Sequence, residues 1–204
     1  MNFAHKTILF FFNLMYPLKI INKENVPKDG AIFCCNHFSA LDCGYVAKLY
    51  NKDIYFMAKK ELFKNKLVGG LVKSFGGISI DRENIDMKSM LECLKVLKGQ
   101  HKLVIFPEGT RNKIDDNLQP LKSGSTVFAV KSKTPIVPMV ILKKAKFLSK
   151  NFLLVGKPIY FEEFYEKKLT EEDIKKMDDI LAENMRNLHK ELKEKVQKRK
   201  KWLF

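Results

Sequence analysis

The sequence predicts a three-layer α/β domain, with a mostly parallel or mixed central sheet flanked by helices. Three observations favour this fold class. Short apolar runs typical of buried strands alternate with helical patterns between residues 20 and 168. Polar or charged residues follow several of these runs, which is typical of the ligand-binding edge of an open α/β sheet. A chain of 204 residues is also long enough to bury one sizeable core.

Residues 1–19 form a hydrophobic segment, and the helix predicted over residues 3–18 is apolar on nearly every face. At about 1.5 Å per residue, this helix is shorter than the roughly 30 Å hydrocarbon core of a bilayer. We therefore expect a membrane-associating interfacial helix, or a hydrophobic flap over an apolar site, rather than a membrane span. An ordinary core helix is the competing interpretation.

The first polar segment after a core strand is the most informative one. A strand predicted over Ile20–Val26 leads through a turn to the apolar run 31–35, which is followed by Asn36 and His37. Ser39 and Asp42 have the spacing of a helix start, with the serine as the cap and a helix reaching residue 50. This places a histidine at the sheet edge with a carboxylate, four intervening residues away, able to hold one ring nitrogen.

Further strands deliver more charged residues to the same edge. The strand 53–58 ends at Lys59, and a helix over 67–75 precedes a strand that delivers Arg82. A helix over 84–98 leads to the strand 103–106 and then to Arg111, a side chain that can grip a phosphate with two parallel bonds. A short helix to about residue 131 precedes the strand 136–141, in which Pro138 suggests a sheet edge or a bulge. The last strand is predicted within 151–160.

Residues 169–204 are predicted to form an amphipathic basic helix packed on the domain. Thr170 and Asp173 have capping-box spacing, and an apolar stripe continues from Ile174 to Val196. The basic final turns end in Trp202-Leu203-Phe204, a composition that suits an anionic bilayer surface as well as a solvated face.

The composition limits the possible partners. Lys and Arg number 38 against 23 Asp and Glu, and the net charge of +15 predicts an anionic ligand, nucleic acid or an anionic membrane surface. Nucleic acid is disfavoured, because most phenylalanines lie in predicted strands or in the N-terminal segment rather than among the cations. The four cysteines include no C-x-x-C pair, which favours buried reduced thiols over a metal site. Cys34 and Cys35 would face opposite sides of the sheet.

Four motifs occur in the order and approximate spacing of the glycerolipid acyltransferase family, and the chain resembles the 1-acylglycerol-3-phosphate acyltransferases in particular. They are Asn36-His37-x-Ser39-x-x-Asp42, Gly77-Ile78-x-Ile80-Asp81-Arg82, Phe106-Pro107-Glu108-Gly109-Thr110-Arg111 and Ile136-Val137-Pro138-Met139. The segments 59–63 and 118–124 also look like the family, so the resemblance covers about residues 20–160. Ser79 stands where family members often have a bulky apolar residue, which affects packing more than chemistry.

The resemblance implies a glycerolipid acyltransferase domain over residues 20–168. It implies transfer of a fatty acyl group from acyl-CoA or acyl carrier protein to the sn-2 hydroxyl of 1-acylglycerol 3-phosphate (lysophosphatidic acid), giving phosphatidic acid for phospholipid biosynthesis. No cofactor and no metal are implied, and the expected place is the cytoplasmic face of the cell membrane, with peripheral or monotopic attachment. Acyl transfer to another lysolipid or to glycerol 3-phosphate, and non-catalytic binding of anionic lipid, are the alternatives.

The resemblance also suggests the catalytic pair. His37 would be the general base that removes a proton from the acceptor hydroxyl, because imidazole exchanges protons near neutral pH. Asp42 would fix the tautomer of His37 and stabilise its charged form. Ser39 is disfavoured as an acyl-enzyme nucleophile because the sequence has no G-x-S-x-G elbow.

Substrate-binding roles follow from the same resemblance. Arg111 would be the main phosphate anchor, assisted by Arg82, with Gly109 and Thr110 allowing close approach of the ligand to the backbone. Glu108 would orient Arg111 or the glycerol. Two further residues have two interpretations each. Lys59 would be a second phosphate-binding cation or a solvated surface lysine. Pro138 would be part of the wall of the acyl-binding region or a core-packing residue.

Overall fold

A seven-stranded sheet forms the centre of the protein in the computed structural model, which describes residues 3–49, 54–81, 87–114, 117–122 and 124–201. The strands are β1 (Leu18–Ile21), β2 (Ala31–Cys35), β3 (Ile54–Lys59), β4 (Gly77–Ile80), β5 (Lys102–Ile105), β6 (Ile136–Ile141) and β7 (Asn151–Val155). Their spatial order is β1-β7-β6-β2-β5-β3-β4. The five strands from β6 to β4 run parallel, whereas β7 is antiparallel to β6 and β1 is parallel to β7. The prediction of a mostly parallel, mixed sheet is confirmed.

Helices cover both faces of the sheet. Within the described ranges they are α1 (Phe3–Met15), α2 (Asp42–Ala47), α3 (Lys66–Ser74), α4 (Met87–Lys98), α5 (Ser125–Ser132) and α6 (Glu171–Lys201). Aromatic side chains of α1 and α2 pack on one face, and apolar side chains of α4, α5 and α6 pack on the other. None of these helices is long and apolar enough to cross a membrane.

The central strand β2 shows how the sequence builds the two core layers. Ile32 and Cys34 point into the cluster beneath α4, α5 and α6, and Phe33 and Cys35 point into the cluster beneath α1 and α2. All four are fully buried because β2 has a neighbour on each side and a helical layer above and below. Burial raises the pKa of the Cys34 thiol to about 12, which agrees with the expected reduced, unreactive cysteine.

The first predicted strand is wrong in its extent. β1 ends at Ile21 because Asn22 adopts a left-handed conformation with φ of 57°, and a 3-10 turn follows at Lys23–Asn25. β1 pairs with β7 at the edge of the sheet rather than with the strand that follows it in sequence. The pairing joins segments more than 130 residues apart, so local sequence could not indicate it.

Pro138 lies in an interior strand, so the edge-strand alternative is wrong. β6 pairs with β2 on one side and with β7 on the other. On the β7 side, Met139 faces Val155 and Ile136 faces Ile159. Between these pairs β6 has residues 137–138, whereas the opposite segment has residues 156–158, which is one residue more and forms a bulge. The bulge lets the proline, which has no N–H, occupy the middle of the sheet.

The long C-terminal helix forms as its pattern predicts. Thr170 and Asp173 make the reciprocal capping box, with the Asp173 amide donating to Thr170 Oγ1 at 3.1 Å and the Thr170 amide donating to Asp173 Oδ2 at 3.0 Å. The middle of the apolar stripe, Met177, Leu181 and Met185, is buried against the sheet and α5. The predicted aromatic tip at residues 202–204 lies outside the described residues.

Candidate active site

The side chain of Asn36, directly after β2, fixes the start of the histidine motif by bonding to β6. The buried Asn36 amide donates to the carbonyl of Ile141 at 3.0 Å and accepts from the Ile141 amide at 2.7 Å. These bonds extend the β2–β6 pairing beyond the last backbone pair by using a side chain in place of a backbone group. The direction in which His37 leaves the sheet is therefore set by an interior strand.

His37 and Asp42 form the predicted pair. His37 Nδ1 lies 3.0 Å from Asp42 Oδ2, and both side chains are nearly excluded from solvent. The imidazole stacks on Phe106 with ring centres 4.0 Å apart and an interplanar angle of 19°. Within the described ranges no residue hydrogen-bonds Nε2, and His37 lines a cavity described below. The carboxylate thus holds one ring nitrogen and leaves the other for a substrate.

The turn that carries this pair differs from the expected serine cap. Helix α2 begins at Asp42 and ends at Ala47, later and shorter than predicted. The Asp42 carboxylate accepts the amides of Phe38 and Ser39, each at 2.6 Å, whereas Ser39 Oγ accepts only the Leu41 amide at 3.3 Å. A charged acceptor binds N–H groups more strongly than a hydroxyl does. Asp42 therefore both orders the turn and orients the imidazole.

Glu108 binds the histidine loop rather than Arg111. Its Oε1 accepts the His37 amide at 2.8 Å, and its Oε2 accepts the Gln119 amide at 3.3 Å. On the other side of the same residue, the His37 carbonyl accepts the Asn112 amide at 2.7 Å. Glu108 of the third motif and Asn112, which follows the motif, thus hold the backbone of His37 from both sides. The described contacts of Glu108 include no ion pair with Arg111, and its role in orienting the glycerol stays a prediction.

The buried position of Glu108 gives a pH-dependent prediction. Burial raises the pKa of Glu108 from 4.5 to about 7, so between these values the folded protein holds a proton that the unfolded chain has released. Stability contributed by this group therefore falls as pH rises through that window. Relative to Glu108→Gln, the wild-type free energy of unfolding should drop by up to about 3 kcal/mol between pH 5 and pH 8. Chemical denaturation of both proteins at the two pH values measures this, and a constant difference between them would contradict it.

The remainder of the third motif forms a tight turn with cations at its end. Gly109 has φ of 67°, which favours glycine, and a Cβ there would lie 2.7 Å from Lys122 Cδ. The alkyl chain of Lys122 thus packs where a side chain at residue 109 would stand, and close approach of a ligand to the backbone of Gly109 stays a prediction. Thr110 and Arg111 are exposed and line the same cavity as His37.

This cavity of about 750 Å³ brings several predicted residues together. His37, Lys59, Thr110 and Arg111 all line it, on the side of the sheet that α1 and α2 cover. Its walls are largely apolar, and they include Ile8, Leu9 and Phe12 of α1, Ala40, Cys43 and Ala47 in and beside α2, Leu71 and Val72 of α3, Phe56 within β3 and Phe106 directly after β5. A proton acceptor, a guanidinium and apolar walls thus share one space.

Three predicted site residues have other surroundings. Lys59 lines the cavity, but its ammonium pairs with Glu61 at 3.8 Å. Pro138 does not line the cavity; it lies within β6 against Gly156, so the core-packing alternative applies. Arg82 lies outside the described residues.

Helix α1 is held on the domain by specific contacts. The Phe12 ring fills the notch above Gly44, where a Cβ would come within 2.5 Å of the ring. Lys48 donates to the carbonyl of Tyr16 at 2.5 Å and lies 4.8 Å from the centre of the Phe12 ring. Partial burial lowers the pKa of Lys48 to about 8. The N-terminal segment therefore forms a wall of the cavity, as the flap interpretation proposed.

Sequence reasoning missed the residues that hold the site together. Asn36 was identified only as part of a motif, and Asn112, whose side chain bonds the Asn117 carbonyl at 2.6 Å and the Ile114 amide at 3.0 Å, was not identified. Lys113 also lines the cavity. The sequence did contain an indication for Lys113, because this cation lies two residues after Arg111, the cation that ends the third motif.

The chain is similar to known proteins over most of its length. A family model described as Acyltransferase matches residues 17–142. The chain is 30% identical over 201 residues to the 1-acyl-sn-glycerol-3-phosphate acyltransferase of Bacillus subtilis, covering 93% of this chain and 97% of that protein. It is 37% identical over 118 residues to the protein of the same name from Helicobacter pylori, covering 56% of this chain and 49% of that one.

A solved structure has the same fold. The crystal structure of the 1-acyl-sn-glycerophosphate (LPA) acyltransferase PlsC from Thermotoga maritima superposes with a TM-score of 0.71 and 24% sequence identity. The match covers 93% of this chain and 81% of that chain. The likeness therefore extends over nearly the whole chain.

Proposed function

The chain belongs to the acyltransferase family, and we propose that it acylates the sn-2 hydroxyl of 1-acylglycerol 3-phosphate to give phosphatidic acid. The donor is a fatty acyl thioester, either acyl-CoA or acyl carrier protein. One observation carries the proposal: His37 and Arg111 line one cavity whose walls are largely apolar. A base, a phosphate-binding cation and apolar space match the three parts of such a substrate.

The proposed reaction needs no enzyme nucleophile. His37 Nε2 takes the proton of the acceptor hydroxyl while its oxygen attacks the thioester carbonyl and forms a tetrahedral intermediate. The carbon–sulfur bond then breaks, and the thiolate leaves with the proton that His37 returns. Asp42, 3.0 Å from Nδ1, stabilises the imidazolium between the two transfers. The amides of Phe38 and Ser39 are bound to Asp42, so the developing oxyanion takes its donors from elsewhere.

Arg111 is the proposed anchor for the acceptor phosphate. Its guanidinium can make two parallel charge-assisted bonds to phosphate oxygens, and Lys113 and Lys59 add positive charge to the same cavity. Arg82 remains a proposed assisting cation. Because Lys59 is close to Glu61, Arg111 carries the greater part of the phosphate affinity in this proposal.

Thiol release from acyl-CoA and from acyl carrier protein, measured against a panel of acceptors, tests the assignment. The panel contains lysophosphatidic acid, another lysophospholipid, monoacylglycerol and glycerol 3-phosphate. We expect the highest kcat/KM with lysophosphatidic acid, because it supplies both the phosphate and the apolar chain. Preference for monoacylglycerol, which has no phosphate, would contradict the proposal, and preference for glycerol 3-phosphate or another lysolipid would correct the acceptor.

Membrane attachment is part of the same proposal. Phe10, Phe11 and Leu14 of α1 are exposed, and the described side chains of α1 include no charged residue. An apolar face on a helix too short to span a bilayer suits insertion at the interface, and the +15 charge suits an anionic surface. We therefore propose peripheral or monotopic attachment at the cytoplasmic face of the cell membrane.

Phe12 gives a prediction about acyl-chain length. Phe12→Ala removes part of the α1 wall, so donors with longer chains should gain kcat/KM relative to shorter ones, by about fourfold for each methylene that the new space admits. Competition between two acyl donors of different length measures the ratio. Phe10→Ala is the matched control, since Phe10 lies on the same helix but does not line the cavity. An unchanged ratio in Phe12→Ala, or an equal change in Phe10→Ala, would refute this role.

A further inference from the structure

We propose that α3 is a second bilayer-docking element, which with α1 lies against anionic lipid on either side of the cavity opening. The inference rests on the proposed function and adds a surface that the acyl-transfer chemistry does not require. The bilayer would then meet the protein at both helices, and a lipid chain could pass between them into the cavity without crossing water.

Helix α3 carries an apolar face that the described part of the chain leaves exposed. Leu67 is 86% exposed, Leu71 is 54% exposed and Val68 is 42% exposed. At about 100° per residue these three residues fall within about 100° of arc, so they form one continuous stripe, here called the α3 face. Burying a leucine or valine side chain is worth about 1.5–3 kcal/mol, which makes this much exposed aliphatic surface on one short helix costly unless it is covered.

The helix that carries the α3 face is basic. Lys66 and Lys73 lie about 100° and 120° around the helix from Leu67, on the flank away from Leu71 and Val68, and Lys64 precedes the helix. All three are exposed, and none forms an ion pair with a described residue. Flexible lysine side chains on the flank of a helix with an apolar face can reach an anionic bilayer, where each cation near the surface contributes about 1 kcal/mol.

The exposure of α3 does not come from a poorly formed helix. Asn65 caps its first turn, with Oδ1 accepting the amides of Leu67 at 3.0 Å and Val68 at 3.1 Å. Gly69 packs so closely against the preceding 3-10 turn that a Cβ would lie 2.9 Å from the Phe63 backbone. One side of α3 is therefore fixed to the protein, which holds the α3 face outward.

The α3 face continues to the cavity opening. Leu71 belongs to the face and also lines the cavity, and the next residue, the half-buried Val72, lines it too. Ile8 of α1, like Leu71, contacts both the cavity and solvent, since it lines the cavity and is nearly half exposed. The opening thus has apolar side chains on both helices that reach solvent, as a portal for a lipid chain requires.

A bilayer fits these observations better than an acidic carrier protein, which the lysines could also attract. The exposed apolar residues stand on two separate helices at one opening, and the exposed residues of the α1 part, Phe10, Phe11 and Leu14, are aromatic and aliphatic. Contact with hydrocarbon uses both parts, whereas contact with an acidic protein would use mainly the lysines.

Vesicle binding of Leu67→Glu and Leu91→Glu tests the inference. Leu67 does not line the cavity, and Leu91 is another exposed leucine, 57% exposed, on α4 in the opposite helical layer. Each full-length protein is sedimented with phosphatidylcholine vesicles containing phosphatidylglycerol. We expect Leu67→Glu to lower the bound-to-free ratio by at least about tenfold, a loss of about 1.4 kcal/mol. Leu91→Glu should bind as the wild type does.

Two results would overturn the inference: unchanged vesicle binding of Leu67→Glu, or an equal loss in both variants. If vesicle binding of Leu67→Glu is unchanged and its turnover is lost only when acyl carrier protein is the donor, the α3 face is assigned to the carrier protein instead. Wild-type turnover in detergent micelles is measured in parallel, because absence of acyl transfer there would refute the proposed function independently of vesicle binding.

Discussion

His37→Ala is expected to lower turnover by about 10²–10⁴-fold, because it removes the group that accepts the hydroxyl proton. The expected loss is in kcat rather than in the KM of either substrate, since Arg111 and the apolar walls remain. Steady-state thiol release measures both constants, and circular dichroism checks that the fold is retained. If the wild-type protein binds lipid but shows no turnover, it is a non-catalytic lipid binder. If the wild-type protein is active and His37→Ala keeps the full turnover, the role assigned to His37 is contradicted.

Two variants of the same turn separate the possible chemistries. Asp42→Asn should also reduce kcat strongly, because an amide cannot stabilise the imidazolium as a carboxylate does, and because Asp42 accepts the amides of Phe38 and Ser39. Ser39→Ala is the matched control, since the Ser39 hydroxyl makes only hydrogen bonds of 3.3 Å and the backbone amide that Asp42 binds is kept. Ser39→Ala should lose far less activity than His37→Ala, and an equal loss would point to a covalent serine mechanism.

Arg111→Ala is expected to lower kcat/KM for lysophosphatidic acid by about 10–100-fold, the range for losing hydrogen bonds between charged groups. The KM for the acyl donor should change far less, because the donor's thioester and chain do not use this guanidinium in the proposed mode. Steady-state kinetics with each substrate varied in turn measures the difference.

Arg111→Lys and Lys113→Ala sharpen this test. The lysine keeps a positive charge but cannot make two parallel bonds, so Arg111→Lys should recover only part of the affinity. Lys113 is a neighbouring exposed cation in the same cavity, and its removal should cost less than the removal of Arg111. Equal weakening of donor and acceptor in Arg111→Ala would contradict a phosphate-anchoring role.

Local sequence predicted the chemistry-bearing residues because these lie directly after strands. His37 follows β2, Lys59 ends β3, and Arg111 follows β5, and the carboxyl ends of parallel strands meet at one edge of a sheet. The apolar runs therefore indicated both the strands and the common location of these side chains. Their presence around one cavity follows from that geometry.

The contacts that order the site could not be predicted in the same way. Glu108 bonds the backbone of His37 across 71 residues of sequence, and Asn36 bonds Ile141 across 105. Such contacts depend on which strands become neighbours, and the order β6-β2-β5 is a property of the folded sheet. A carboxylate beside an arginine suggested an ion pair, whereas burial against backbone amides gave Glu108 a different role.

The surface of α3 shows a second limit of the sequence pattern. The predicted helix over 67–75 is borne out closely by Lys66–Ser74, but its apolar residues gave no indication of which side would face the core. In the fold, Gly69 is the buried contact and Leu67 points to solvent. A small residue permitted the close packing, and the large residues were left outside.

The most direct test of the central claim is a crystal structure of the wild-type protein with bound lysophosphatidic acid and no acyl donor. We predict that the sn-2 hydroxyl oxygen lies about 3 Å from His37 Nε2 while the phosphate bonds the guanidinium of Arg111. A phosphate bound away from Arg111, or a hydroxyl beyond hydrogen-bond reach of His37 while the phosphate occupies the Arg111 site, would contradict the account.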